Sequence, residues 1–163
     1  MAVPSKEPAR KHNQEIDSML EIVNTLEIDA PIAKVWSVLT DRENYPRWNP
    51  VIHTQHGELR RGCRGKMRIQ PMPGPVLEVD IIYQKVEHER ELSWYGGPPL
   101  VKGYHYFQLK SLADGKTLLI HGERFGWLAT LLSWPAVLGL VKQRYHMADQ
   151  ALQAYCEASG QTA

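Results

Sequence analysis

The stretch Trp127-Leu128-Ala129-Thr130-Leu131-Leu132-Ser133-Trp134-Pro135-Ala136-Val137-Leu138-Gly139-Leu140-Val141 carries no charge, and the next residue, Lys142, is the first cation after it. Beyond it, Tyr145, Ala148, Leu152 and Tyr155 recur at helical spacing, with Lys142, Gln143, Arg144, Asp149, Gln150 and Gln153 between them. That is the stripe of an amphipathic helix. The uncharged first half must be buried on most sides or face something apolar. It falls short of the roughly 18 apolar residues that a membrane-spanning helix needs. Two readings remain: a long helix that closes the fold, or a helix that docks on a membrane surface or a partner. Pro135 removes a backbone donor and clashes with the preceding turn, which predicts a kink or break there.

Composition narrows what such a helix can close. A chain of 163 residues suits one domain with a real core. Lys and Arg number 19 against 18 Asp and Glu, a net charge of +1. This balance excludes a general nucleic-acid binder, which should be strongly basic. Cys63 and Cys156 lie far apart and in no motif, so they read as free thiols of a reducing cytosol, and the expected location is cytoplasmic. The seven histidines form no spaced metal motif, and His53 and His56 fall on opposite faces of a strand. No metal and no cofactor is expected. Residues 1–19 have no apolar run and read as a flexible N-terminal tail rather than a secretory signal. Residues 20–158 read as the single domain, and 159–163 as a C-terminal tail.

In the domain's first strand, Leu20, Ile22, Leu26 and Ile28 alternate with Glu21, Val23, Thr25 and Glu27. Asp29-Ala30-Pro31 ends it and starts a helix, with Pro31 at the first helical position and Asp29 or Ala30 as cap. Ile32, Val35, Trp36 and Leu39 form that helix's apolar face. Thr40-Asp41 caps a second short helix that stops near Tyr45-Pro46. Consecutive strands follow near 51–58, 64–70, 76–88, 90–95, 103–112 and 116–125, separated by Gly, Pro and Asp-Gly breaks. Arg64, Lys66 and Arg68 alternate on one strand, and Glu78 and Asp80 on the next. Paired antiparallel, the two rows meet on an outer face, a better account than a phosphate site.

Strand, two short helices, a run of hairpin-linked strands and one long helix describe an antiparallel sheet that the terminal helix must cover. A curved sheet gripping a helix leaves a wedge, a natural small-molecule pocket.

Several segments carry a resemblance. Ile28-Asp29-Ala30-Pro31, Val35-Trp36, Leu39-Thr40-Asp41 and Tyr45-Pro46-Arg47-Trp48-Asn49-Pro50 resemble the opening of the START-related, Bet v 1-like (SRPBCC) superfamily, including its bacterial polyketide cyclase/dehydrase group. Gly103-Tyr104-His105-Tyr106-Phe107-Gln108-Leu109 and His121-Gly122-Glu123-Arg124-Phe125-Gly126 are similar to strands of a branch of unknown function. The resemblance covers about residues 20–157. It implies an α+β helix-grip fold: a curved antiparallel sheet of about seven strands wrapped on a long C-terminal helix, with two short helices after the first strand. It does not name a ligand, because a shared fold does not fix chemistry.

Alternation places His105, Phe107 and Leu109 on one face of their strand, and His121, Glu123 and Phe125 on one face of the next. The hairpin at Ala113-Asp114-Gly115 decides whether they meet. A three-residue loop with Gly115 left-handed sets Leu112 opposite Lys116, His105 opposite Glu123 and Phe107 opposite His121. A two-residue Asp-Gly turn sets His105 opposite Arg124 instead. The first is preferred because it lets His105 and Glu123 satisfy each other. The expected lining is Met67, Val79, Ile81, Tyr83, Phe107, Leu109, Phe125, Leu128, Leu131 and Leu132, with His105, His121 and Glu123 as polar anchors. Trp48 is expected at the mouth, Trp94 in the core or at the lip, and loop 95–102 as a gate.

Three functions fit. The favoured one is binding of a small, mostly apolar ligand (a lipid, polyketide, isoprenoid or aromatic metabolite) as carrier or sensor. The second is a cyclase- or dehydratase-like enzyme using His105 and Glu123 as an acid–base pair. The third is docking of helix 127–141 on a membrane surface or partner. The chain is expected as monomer or homodimer.

Overall fold

The computed structural model describes residues 20–99, 101–126 and 135–158. Seven strands form one antiparallel sheet: β1 (Leu20–Ile28), β2 (Ile52–Gly57), β3 (Arg64–Ile69), β4 (Leu77–Glu87), β5 (Glu91–Gly96), β6 (Gly103–Ser111) and β7 (Thr117–Phe125). Their order across the sheet is β1-β7-β6-β5-β4-β3-β2, so only the β1–β7 pairing joins strands distant in sequence. Helix α1 (Ile32–Thr40) and a short 3-10 helix (Arg42–Arg47) follow β1, and α2 (Pro135–Ala158) ends the described chain. This is the helix-grip fold, with its two short helices where the sequence puts them. The expected N-terminal tail, residues 1–19, lies outside the described residues. So do 159–163, the apolar segment 127–134 and the near side of any kink at Pro135.

Local chemistry explains the departures. Helix α1 begins one residue later than expected. Pro31 keeps an extended backbone (φ −61°, ψ 147°) and serves as the flanking residue, its carbonyl accepting from Lys34 N and Val35 N. The second short helix is a 3-10 helix that carries Pro46 inside it. Tyr45 anchors it by donating from its buried hydroxyl to Leu39 O at 2.7 Å. Irregular pairing between Tyr83 and Lys85 in β4, and between Ile52 and Thr54 in β2, marks the bulges that bend the sheet around α2. On the outer face Lys66 pairs with Asp80 and Arg68 with Glu78, the expected meeting of basic and acidic rows.

The hairpin between β6 and β7 uses the three-residue loop. Gly115 is left-handed (φ 82°), and Leu112 N donates to Lys116 O at 2.8 Å. His105 therefore faces Glu123, and Phe107 faces His121. The β1–β7 pairing adds Asn24 opposite His121.

The sheet's concave side is filled unevenly. A large core joins Ile28, Val35, Leu39, Tyr45, Tyr83, Leu92 and Leu119 to Leu152 and Cys156 from the second half of α2. A smaller cluster joins Ile22 and Phe125 to Val141, with Leu138 and Tyr145 packed against it, at the first half of α2. The space between these two packed ends is the wedge.

Candidate ligand-binding site

The wedge holds a cavity of about 210 Å³. Its walls are Met67, Ile69, Val79 and Ile81 from β3 and β4, Trp94 from β5, Phe107 from β6, Phe125 from β7 and Val141 from α2. Pro71, Met72, Gly97, Pro98 and Val101 also line it, and the exposure of Met72 marks that side as rim. The expected gate is thus in contact with the cavity. Asn49 lines it as well, but its side-chain oxygen is spent on Val51 N and Ile52 N, both at 2.8 Å.

Of the expected lining, Met67, Val79, Ile81, Trp94, His105, Phe107, His121, Glu123 and Phe125 reach the cavity. Trp48, Tyr83 and Leu109 do not. Alternation gave the correct face for Tyr83 and Leu109, but both lie deeper, inside the large core. Tyr83 is fully buried and receives a hydrogen bond from Arg42 Nη1 at 3.1 Å. Trp48 packs edge-on against Tyr45, ring centroids 4.9 Å apart. Leu128, Leu131 and Leu132 lie outside the described residues. Trp94 is core and lining at once, stacked on the His105 ring at 4.3 Å with planes 12° apart.

One end of the cavity is polar. His105 Nδ1 lies 3.5 Å from Glu123 Oε2. The hydroxyl of Tyr145 stands beside both, donating to Glu123 Oε2 and lying 3.3 Å from His105 Nδ1. His105 Nε2 meets His121 Nε2 at 3.0 Å, and His121 Nδ1 meets Asp149 Oδ1 at 2.5 Å. Asn24 Nδ2 donates to Asp149 Oδ2 at 2.7 Å. Phe107 stacks on His121 at 4.2 Å, which fixes that ring's plane. Burial holds the His105 pKa below the ordinary imidazole value and the neighbouring His121 adds to this, while the Glu123 carboxyl beside it pulls the other way.

These contacts assign the protons. Asp149 accepts from Asn24 and from His121 Nδ1–H, so His121 presents a bare Nε2. His105 Nε2–H donates to it, and His105 turns a bare Nδ1 toward Tyr145 and Glu123. The result is one line of hydrogen bonds from the cavity surface to a carboxyl group that is 3% exposed.

Tyr145, Asp149 and Asn24 were not among the expected site residues. Each left a trace. Asp149 is four residues after Tyr145, on the apolar stripe of α2 rather than beside it. Asn24 stands in the inward row of β1, between Ile22 and Leu26.

A family model described as polyketide cyclase/dehydrase and lipid transport matches residues 19–157. The chain belongs to this family. No curated protein matches it in sequence. Among solved structures, the chain is similar to the Zhui aromatase/cyclase of Streptomyces sp. R1128 (TM-score 0.72, 18% identity, 89% of this chain and 98% of that one). It is also similar to a START superfamily protein of Mycobacterium smegmatis (TM-score 0.70, 19% identity, 87% and 99%). A third is Ara h 8.0201 (TM-score 0.67, 17% identity, 86% and 99%). At such identities these likenesses establish the shared START-related, Bet v 1-like fold. Among the described residues no group of three His, Cys, Asp or Glu side chains is arranged to hold a metal ion, and no helix is long and apolar enough to cross a membrane.

Proposed function

We propose that this protein binds a small, mostly apolar ligand in the wedge between sheet and α2, as a carrier or sensor. The observation that carries the reading is the cavity itself: about 210 Å³, walled mostly by apolar side chains, with its titratable groups, His105, His121, Glu123 and Tyr145, gathered at one end. An apolar cavity of about 150 Å³ is enough to hold benzene, so this one has room for a larger ring system. Apolar walls supply affinity and a few placed polar groups supply orientation, the usual division in small-molecule sites. Glu123, Tyr145 and His105 are the groups that would hold a polar head.

Native mass spectrometry of the purified protein, followed by solvent extraction, tests this. The expected result is an apolar compound at one equivalent, or uptake of one equivalent from an added panel of lipids and aromatic compounds. A protein that stays empty against that panel overturns the reading.

The line of hydrogen bonds from His105 through His121 to Asp149, with Glu123 beside its open end, favours a second reading, acid–base catalysis of the cyclase or dehydratase kind. His105 Nδ1 can take a proton from a ligand at the cavity end, and its Nε2 proton can pass to His121, beside Asp149. Turnover that falls on Glu123→Gln and on Asp149→Asn, with ligand binding kept, would select this reading over a pure carrier.

A further inference from the structure

The polar end of the cavity also restricts the charge of what enters. We infer that the ligand is an uncharged, planar compound bearing a hydroxyl donor, a phenol or enol, and that ligands bound through a carboxylate or phosphate are rejected. This rests on the binding reading above and makes it more specific.

Three observations carry it. First, no Lys or Arg is among the described lining residues, while Glu123 supplies a carboxyl group. Arg124, next in sequence, is on the opposite face, spent on Glu21 at 2.7 Å. Residues 127–134 contain no cation either, and Lys142, the next in sequence, is exposed. Second, the groups presented at this end are acceptors. Glu123 already takes the Tyr145 proton, and His105 turns its bare Nδ1 the same way. A hydroxyl can donate to either. Third, the walls that flank them are flat: Trp94 and Phe107 stand beside the two imidazoles, with Phe125 on the adjacent strand.

An acid brought to this end leaves two carboxyl groups in an apolar site with no Lys or Arg beside them, and burial holds His105, the imidazole next to Glu123, toward its neutral form. Like charges so placed cannot both ionise cheaply, so one must bind protonated. For a carboxylic acid with an ordinary pKa near 4, about one molecule in three thousand is neutral at pH 7.5. A phenol is neutral at that pH and bears no such cost.

The test compares naphthalene, 2-naphthol and 2-naphthoate at pH 7.5 by quenching of tryptophan fluorescence and by calorimetry. Naphthalene reports the cavity alone. The expected order is 2-naphthol tightest, naphthalene next and 2-naphthoate weakest, with naphthol at least thirty-fold tighter than naphthoate. Glu123→Gln should narrow that gap by weakening naphthol and strengthening naphthoate. Naphthalene binding together with naphthoate as tight as naphthol overturns the charge rule and leaves the cavity reading standing. Failure of all three to bind overturns both. The wild-type comparison decides the matter even if the variant does not fold.

Discussion

His105 is a buried imidazole whose surroundings favour its neutral form. The sign of its effect on stability follows from that. In the unfolded chain an imidazole titrates near 6.5, whereas burial lowers the folded value. Below pH about 6.5 the unfolded chain takes up a proton that native His105 refuses. The stability linked to this group is therefore complete above that pH and is lost as pH falls toward the folded value. Melting temperature should drop between pH 7 and pH 5.5, and His105→Gln should flatten part of that slope. Parallel melting curves for the two proteins would show that His105 is not held neutral. Gly103 acts at the same scale through absence of a side chain. A Cβ there would stand 2.9 Å from Glu123 Cγ and 3.0 Å from its Cδ, too close to be tolerated in place. Gly103→Ala should push the carboxyl off its seat beside Tyr145. The expected outcome is roughly a tenfold loss of 2-naphthol affinity, about the worth of one hydrogen bond to a charged group, with naphthalene affinity unchanged. An equal loss for both ligands would mean that the cavity wall, and not the carboxyl, had moved.

Among the elements, α2 serves both packing and site. Its Leu152 and Cys156 close the large core, while Tyr145, Ala148 and Val141 face the cavity. Leu152 has no exposed surface. Leu152→Ala should cost about 2–4 kcal/mol in a denaturant titration, since a buried leucine truncated in a rigid core leaves a void. A cost under about 1 kcal/mol would show that the helix end collapses onto the sheet. Periodicity made most elements legible. The period-two rows of β3, β4, β6 and β7 and the spacing of Tyr145, Ala148 and Leu152 state which face each element buries. Asp114-Gly115 marks a turn but allows two registers, and the structure has the three-residue loop, preferred because it lets His105 meet Glu123. Depth was not legible. Tyr83 and Leu109 share a face with the cavity wall, yet they are packed into the large core that also holds residues of α1 and the second half of α2, and no local pattern reports what lies across a sheet. The Asn24–Asp149 contact was hidden for a related reason. It joins residues 125 positions apart, and a polar residue in a buried row looks like noise until its partner is placed.

At the scale of the whole molecule, stability and function meet in the unfilled part of the wedge. An apolar void gives up packing contacts that a filled core would have. A ligand that occupies it restores them only in the native state, so its binding must appear as stabilisation. At a free concentration one hundred times Kd the gain is about 2.7 kcal/mol, or roughly 5–10 °C in melting temperature for a chain of this size. 2-Naphthol should produce a shift of that order, rising with the logarithm of its concentration. Val79→Phe provides the control for where it binds. Val79 is 6% exposed and lines the cavity from β4, so a larger ring there takes up ligand space while staying apolar. The variant should melt near or below the wild type when empty and respond to the ligand with little or no shift. A full shift in the filled variant would place the binding elsewhere on the molecule and remove the wedge as the site.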